Sequence, residues 1–351
     1  PRPFCIDEGD PATNACLKGP MNVAIDTHSN LYIAAGGSVL RVDHTDGTLN
    51  TVSIKGSINP PVGAPRGIAV DALGNLYIAD TCRIHRIALE SGSVETIAGT
   101  GKCSSIDQRS GIPAKEGSLY LPSAIAIDAD GNVYFVEKEI LSSGLVRKVD
   151  ARTGLIYTIA GYTGIPGTHL SPQGVAVDEV GNVFFTAAYG RISRVDALTG
   201  SISTVVGGGQ YEGDGSPNLL QLNNPTALSF DSAGNLFFID GDRLRELNAN
   251  THRVHTLLQS PGINGLVASP HHQLFLAQGD VVQRILINHT PVAKIKDRLT
   301  VECSNPDLTP VQIDGSSSFD PDADPITYLW AGHFPEGNGV LAGPNPTVSL
   351  A

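Results

Sequence analysis

The sequence predicts an all-β fold: a six-bladed β-propeller followed by a second, smaller β unit. Three observations predict it. A two-strand pattern recurs six times, the copies are spaced like propeller blades, and further strands follow each copy. Residues 64–80 show the pattern in full. Ile68-Ala69-Val70 and Leu76-Tyr77-Ile78-Ala79 are short apolar runs bounded by turn residues, which suits strands covered on both faces. Asp71 to Asn75 is the turn between them. Gly74-Asn75 supplies the positive φ that a tight connection needs.

The other copies carry Asp26, Asp128, Asp178 and Asp231 at the place of Asp71, and a decayed sixth carries Ser269. Consecutive copies lie 38 to 57 residues apart. A repeat of roughly 40–50 residues with several strands per unit is the signature of a propeller blade. The third strand is basic and alternating, as in Arg83-Ile84-His85-Arg86-Ile87 and Arg191-Ile192-Ser193-Arg194-Val195. A fourth follows a glycine turn, as in Gly92 to Gly99 and Gly200 to Gly207. The sixth copy shows three strands and ends at Ile287. Propellers close by letting one terminus complete the last blade, and the candidate closing strand is Arg2 to Ile6.

These units resemble NHL repeats. The shared pattern is Pro-x-Gly-(Ile/Val)-Ala-Val-Asp, then Gly-Asn-Leu-Tyr-(Ile/Val)-Ala-Asp, Arg-Ile-x-(Arg/Lys)-Ile and Thr-(Ile/Val)-Ala-Gly. The resemblance covers about residues 12 to 287. Gly9-Asp10-Pro11-Ala12 and Gly213-Asp214-Gly215-Ser216-Pro217 resemble the linkers that lead into blades of this family.

Residues 1–288 are therefore expected to form the propeller, and 289–351 the second unit. The blade pattern stops at Asn288-His289-Thr290-Pro291. Expected strands follow at Val292–Ile295, Leu299–Glu302, Val311–Ile313, Ile326–Trp330 and Thr347–Leu350. The run from Asp314 through Ser318-Phe319-Asp320-Pro321-Asp322-Ala323-Asp324-Pro325 to Trp330 is similar to PKD-type domains. That resemblance implies a partial immunoglobulin-like β-sandwich with Trp330 as its buried tryptophan. Such a sandwich needs about seven strands, so this one is expected to be incomplete. Either the natural chain continues past Ala351, or another molecule donates strands and the protein self-associates by strand exchange. Asp320, Asp322 and Asp324, with Asp314 nearby, are spaced to supply hard oxygens to Ca²⁺; the alternative is an Asp-Pro turn that only caps strands.

A net charge of −12 argues against nucleic acid, since phosphate binding requires a basic face. No apolar run reaches the ~18–20 residues of a membrane span. The chain starts at Pro1, as expected of a processed or excised piece. Five cysteines are present. In a propeller the connection between second and third strands shares a face with the link to the next blade. Cys82 begins the first kind of connection and Cys103 lies in the second, so the two can pair. Cys5 and Cys16 both lie in the segment before blade 1. Disulfides Cys82–Cys103 and Cys5–Cys16 would place the protein in an oxidising compartment, secreted or at the cell surface; the alternative is buried free thiols. Cys303 is left over.

Strand order puts the starts of first strands and the ends of second strands at one mouth of the central channel. Asp80, Glu137 and Asp240 end second strands there, while Arg66 and Gln173 start first strands. They are the candidate site for a cation or polar ligand. The other reading is that these acids bond backbone or a neighbouring arginine, as repeat positions commonly do. Enzymes exist on this architecture. The resemblance to amidating-lyase propellers implies histidine-bound zinc, yet none of the six first-strand starts is histidine. Lactonase-type propellers imply a Glu–Asp–Asn cluster, which Glu137, Asp240 and Asn264 imitate loosely. The expected function is therefore non-catalytic: an extracellular recognition, adhesion or scaffold protein whose rigid disc engages a protein or glycan partner. The alternative is a channel-mouth hydrolase or lyase.

Overall fold

The computed structural model describes residues 9–15, 17–52, 65–103, 107, 109–138, 144–161, 170–287, 293–294, 309–312, 314–318, 326–334, 337–344 and 346–350. Two compact units divide the chain, Pro1–Ile285 and Leu286–Ala351.

The first unit is a propeller of six antiparallel sheets, and nearly all of its regular structure is strand. Each repeat becomes one blade. Blade 2 runs Gly67–Val70, Asn75–Ala79, Ile84–Ala88 and Ser93–Ala98 in spatial order. Blade 5 runs Pro225–Phe230, Leu236–Asp240, Arg243–Leu247 and Val254–Gln259. Blade 6 has three strands among the described residues, Ile263–Ala268, Gln273–Gln278 and Val281–Leu286. The expected closing strand, Arg2 to Ile6, lies outside the described residues. Blade 1 nevertheless packs on blade 6, where Val23, Leu31 and Ile33 share a buried cluster with Ala277.

The recurring Asp and Asn explain why the repeat folds as it does. Asp71 Oδ1 accepts the Asn75 backbone N–H at 2.8 Å, and Oδ2 accepts the Asn75 side-chain amide at 2.8 Å. Blades 1, 3, 4 and 5 repeat the pair with Asp26–Asn30, Asp128–Asn132, Asp178–Asn182 and Asp231–Asn235. In those blades the Asn carbonyl then accepts a backbone N–H of the next turn, from His44, Ala151, Ala197 and Ala249. The residue before each Asn sits at positive φ, 77° at Gly74, which is why glycine recurs there. Side chains between blades form the cores. Tyr77 and Ile84 of blade 2 pack with Phe135 and Ile156 of blade 3. Each buried side chain of this size contributes about 1.5–3 kcal/mol.

Among the described residues, three linkers also add to a blade edge. Pro11 bridges Thr48, Ile112–Pro113 pairs with Leu155 and Ile156, and Gly215 bridges Val254. Each continues into one turn of 3-10 helix, at Ala12–Asn14, Ala114–Glu116 and Pro217–Leu219. The sequence pointed to the first and third; Gly111-Ile112-Pro113-Ala114 is the second.

Cys82 and Cys103 form a disulfide, as expected. Cys5 and Cys16 lie outside the described residues, as does Cys303. The bond is compatible with an extracellular location. Among the described residues, no helix is long and apolar enough to cross a membrane.

In the second unit the described strands form two separate two-stranded antiparallel sheets. Thr309–Gln312 pairs with Thr347–Leu350, and Leu329–Phe334 pairs with Gly337–Ala342. An immunoglobulin-like or PKD-type sandwich is not shown. The strand Gly337–Ala342 was not expected, because Gly337-Asn338-Gly339 is poor in strand formers. Of the four candidate calcium ligands, Asp314 is described, and its Oδ1 accepts the backbone N–H and hydroxyl of Ser316. Asp320, Asp322 and Asp324 lie outside the described residues.

Candidate active site at the channel mouth

The first strands of the six blades line the central channel, which encloses a cavity of about 630 Å³. Its wall includes the six first-strand starts: Asn22, Arg66, Ser123, Gln173, Thr226 and Asn264. Arg66 is exposed, and its guanidinium has no hydrogen-bond partner among the described residues.

The three candidate acids are held by their own blades instead of forming an open arc. Glu137 is fully buried. Its Oε1 accepts the Tyr120 backbone N–H at 2.8 Å, and its Oε2 lies 3.2 Å from Arg147 Nη1. Arg147, also fully buried, reaches onward to the carbonyls of Asp107 and Arg109. Asp240 repeats the arrangement in blade 5. Its Oδ1 accepts the backbone N–H groups of Asn223 and Asn224, and its Oδ2 accepts from Arg245 at 3.2 Å. Arg245 donates in turn to the Gly213 carbonyl. Asp80 accepts the Thr81 backbone N–H, and its Oδ2 lies 3.7 Å from Nε2 of the buried His85. In blades 3 and 5 a buried acid–arginine pair thus fastens the linker that leads into the blade. Burial pushes the Glu137 carboxyl up to about 7, against the opposing pull of Arg147. Burial likewise lowers the Arg147 guanidinium.

A second and larger cavity, about 1190 Å³, opens between blades 4 and 5 and shares Gln173 with the channel. Asp240 lies on its wall with both oxygens committed as described. Arg66, Asp80 and Glu137 do not line it. The structure adds four charged groups that sequence reasoning missed: Arg191, Glu212, Asp242 and Arg243. Arg191 and Glu212 are exposed, and their charged groups have no partner among the described residues. Arg243 donates to the Glu212 backbone carbonyl at 2.9 Å, and Asp242 accepts from Gln259 at 2.8 Å. Amides fill the space between. Gln173 Nε2 donates to Asn224 Oδ1 at 3.0 Å across the blade boundary, and Asn223 stands beside it.

Arg191 and Arg243 occupy one structural position, the first residue of the third strand, opposite Ala187 and Asp240. That is the signal by which the sequence could have flagged them: two consecutive blades place arginine at the mouth end of strand three. Among the described residues, no group of three or more His, Cys, Asp or Glu side chains converges to hold a metal ion. Glu137, Asp240 and Asn264 are not brought together. The first two are tied to Arg147 and Arg245, and Asn264 donates to the Pro20 carbonyl.

No family model matches the chain, and no curated protein matches it. Solved structures do match. A protein of unknown function from Bacteroides thetaiotaomicron is 17% identical, with a TM-score of 0.55 over 79% of this chain and 71% of that one. A gluconolactonase from Xanthomonas campestris is 15% identical, with a TM-score of 0.55 over 76% of this chain and 86% of the enzyme. A further structure, described as gluconolactonase-type, is 14% identical with a TM-score of 0.53, over 81% and 92%. At these identities the likeness shows the fold, a six-bladed propeller. It also corrects the expectation of a non-catalytic extracellular recognition, adhesion or scaffold protein. The matching structures include gluconolactonase propellers, enzymes on this fold.

Proposed function

We propose that the propeller is a hydrolase that opens a small polar cyclic ester at the channel mouth, in the cavity between blades 4 and 5. One observation carries this reading. The cavity adjoins the channel and brings to the same polar wall a carboxylate, Glu212, and a guanidinium, Arg191, that have no partner among the described residues. A carboxylate without a partner can take a proton from attacking water. A cation on the wall can stabilise the oxyanion that develops on the ester carbonyl. Water adds to the carbonyl carbon, the ring C–O bond breaks, and the leaving oxygen receives the proton. Glu137 and Asp240 are left out of this chemistry because each is bonded to a buried arginine. The gluconolactonases of the same fold supply the substrate class to try first, an aldonolactone. The quoted repeat motifs support the finer reading of the blades as NHL-type.

The test is acid release from glucono-δ-lactone and related aldonolactones, followed by pH-stat. The expected result is turnover above spontaneous hydrolysis. Glu212→Gln should lower kcat by about 10²–10⁴-fold, with an unchanged melting temperature because the side chain is exposed. No lactone opened faster than the buffer alone opens it would overturn the reading.

A further inference from the structure

The cavity between blades 4 and 5 is a poor match for an ion. Arg191 and Arg243 are balanced by Glu212 and Asp242, and Asp240 is neutralised by Arg245. The wall is therefore close to neutral on a chain of net charge −12. A neutral wall gives no electrostatic reward to a phosphate, a nucleic acid or a metal cation. What it offers in quantity is planar hydrogen-bonding groups. Gln210, Gln221 and Asn223 each carry a donor and an acceptor side by side, and Gln173 and Asn224, bonded to each other, keep the groups that this bond leaves over. Adjacent hydroxyls of a sugar ring, each both donor and acceptor, are the ligand groups that match this set.

The backbone supplies a second observation. In the turns between second and third strands of blades 1, 5 and 6, positive φ is taken by glycine: Gly36, Gly37, Gly241 and Gly279. In blade 4 the equivalent turn carries Tyr189 at φ 62°, followed by Gly190. A bulky side chain at positive φ is strained, and such strain points to function when it persists. Tyr189 lines the cavity and is 78% exposed, so it gains little from burial there. An exposed ring at the rim of a bed of amides is a stacking platform for the apolar face of a pyranose. The cavity, about 1190 Å³, exceeds the ~300–1,000 Å³ common for drug-sized ligands, so it has room for more than one ring.

We propose that this cavity binds a neutral oligosaccharide, with Tyr189 stacking on one ring and the amides reading its hydroxyls. The proposal goes beyond the enzymatic reading, since a neutral oligosaccharide has no lactone to open, and it does not depend on that reading. Its test is binding, so the two can fail separately. The full chain is titrated with neutral gluco-, xylo- and chito-tetrasaccharides, and with an oligogalacturonate as the charged control, by calorimetry and saturation-transfer NMR. At least one neutral tetrasaccharide should bind, and the oligogalacturonate should bind at least about tenfold more weakly. Tyr189→Gly removes the ring and relieves the backbone. It should weaken binding at least about tenfold while the melting temperature holds or rises. Tyr189→Phe keeps the ring and should keep most of the affinity. The proposal is overturned if no neutral tetrasaccharide binds, if the charged control binds best, or if Tyr189→Gly binds as the wild type does. Binding without turnover of any lactone would sink the hydrolase and leave the oligosaccharide site standing.

Discussion

Blades 4 and 5 are consecutive copies of one repeat and wall the same cavity by opposite means. Blade 5 ends its second strand in Asp240, opposes Phe238 with Arg245, and ties both to the linker before it. Blade 4 ends its second strand in Ala187 and opposes Phe185 with Ser193. Thr186 replaces the clamp there, its hydroxyl accepting the backbone N–H groups of Gln173 and Gly174. The other blades show that acid and base come as a set. Asp80 accompanies His85 and Glu137 accompanies Arg147, whereas Ala35 accompanies Leu40. An acid retained only with its own base belongs to the frame. Freed of the pair, blade 4 turns Tyr189 and Arg191 to the cavity, and there the repeat gives way to the site.

The most damaging way to break this comparison is to remove one half of a clamp. Arg245→Ala leaves Asp240 buried without its cation, and breaking a buried pair from one side costs about 3–5 kcal/mol. Ser193→Ala, at the same position of blade 4, should cost less than about 1 kcal/mol, because no charge is stranded. Urea denaturation of the two variants measures both. Equal losses would mean that the clamp is not what distinguishes the blades.

The clamp of blade 3 adds a dependence on pH that blade 4 lacks. Burial raises the Glu137 carboxyl from an ordinary 4.5 to about 7 in the folded protein. The folded state therefore holds this proton more tightly than the unfolded chain does. The stability so gained is fully present below pH 4.5 and is lost as pH rises through 7. At ~1.36 kcal/mol per pK unit the full swing is about 3 kcal/mol. Glu137→Gln keeps a neutral side chain at every pH and should remove that slope. Unfolding free energies at pH 5 and pH 8 decide the matter. A variant with the same pH profile as the wild type would show that Glu137 is ionised in the fold throughout.

How much of this was legible in the sequence follows the same division. The frame was legible because it repeats. Asp, Gly and Asn recur where the turn needs a carboxylate, a positive φ and an amide, so the strand positions could be read from six imperfect copies. Pairing of Cys82 with Cys103 was legible from strand order alone. The cavity was not. Its wall draws on Gln173, Tyr189, Glu212 and Asn223, which lie in turns and linkers where the copies differ, and on Arg191 and Arg243, which open the third strands of blades 4 and 5. No spacing rule joins residues so scattered, and only Gln173 and Asp240 were singled out. Counting acids at strand ends led to Glu137 and Asp80, and the structure ties them much as the other reading of those acids had it: Glu137 to a backbone N–H and Arg147, Asp80 to a backbone N–H beside His85. The second unit was harder still. Gly337–Ala342 pairs as a strand with a composition that propensity assigns to a loop.

The smallest expected effect on stability is the sharpest on the comparison. Arg191 and Arg243 hold equivalent positions in neighbouring blades, and both line the cavity. Arg243 is held by the Glu212 carbonyl, whereas Arg191 is exposed and has no partner among the described residues. Exposed side chains without special contacts change stability by less than about 0.5 kcal/mol when replaced. Arg191→Met should therefore unfold at the wild-type urea concentration. Arg243→Met loses one hydrogen bond on the surface and should cost about 0.5–1.5 kcal/mol. Function should rank them the other way. If Arg191 is the cation that meets the substrate, its loss lowers kcat/KM for an accepted lactone by about 10²-fold or more. Arg243→Met should lower it less, since that guanidinium is already engaged with the protein. A variant lacking Arg191 that is both stable and fully active would move the chemistry out of blade 4 and back toward Arg66 in the channel.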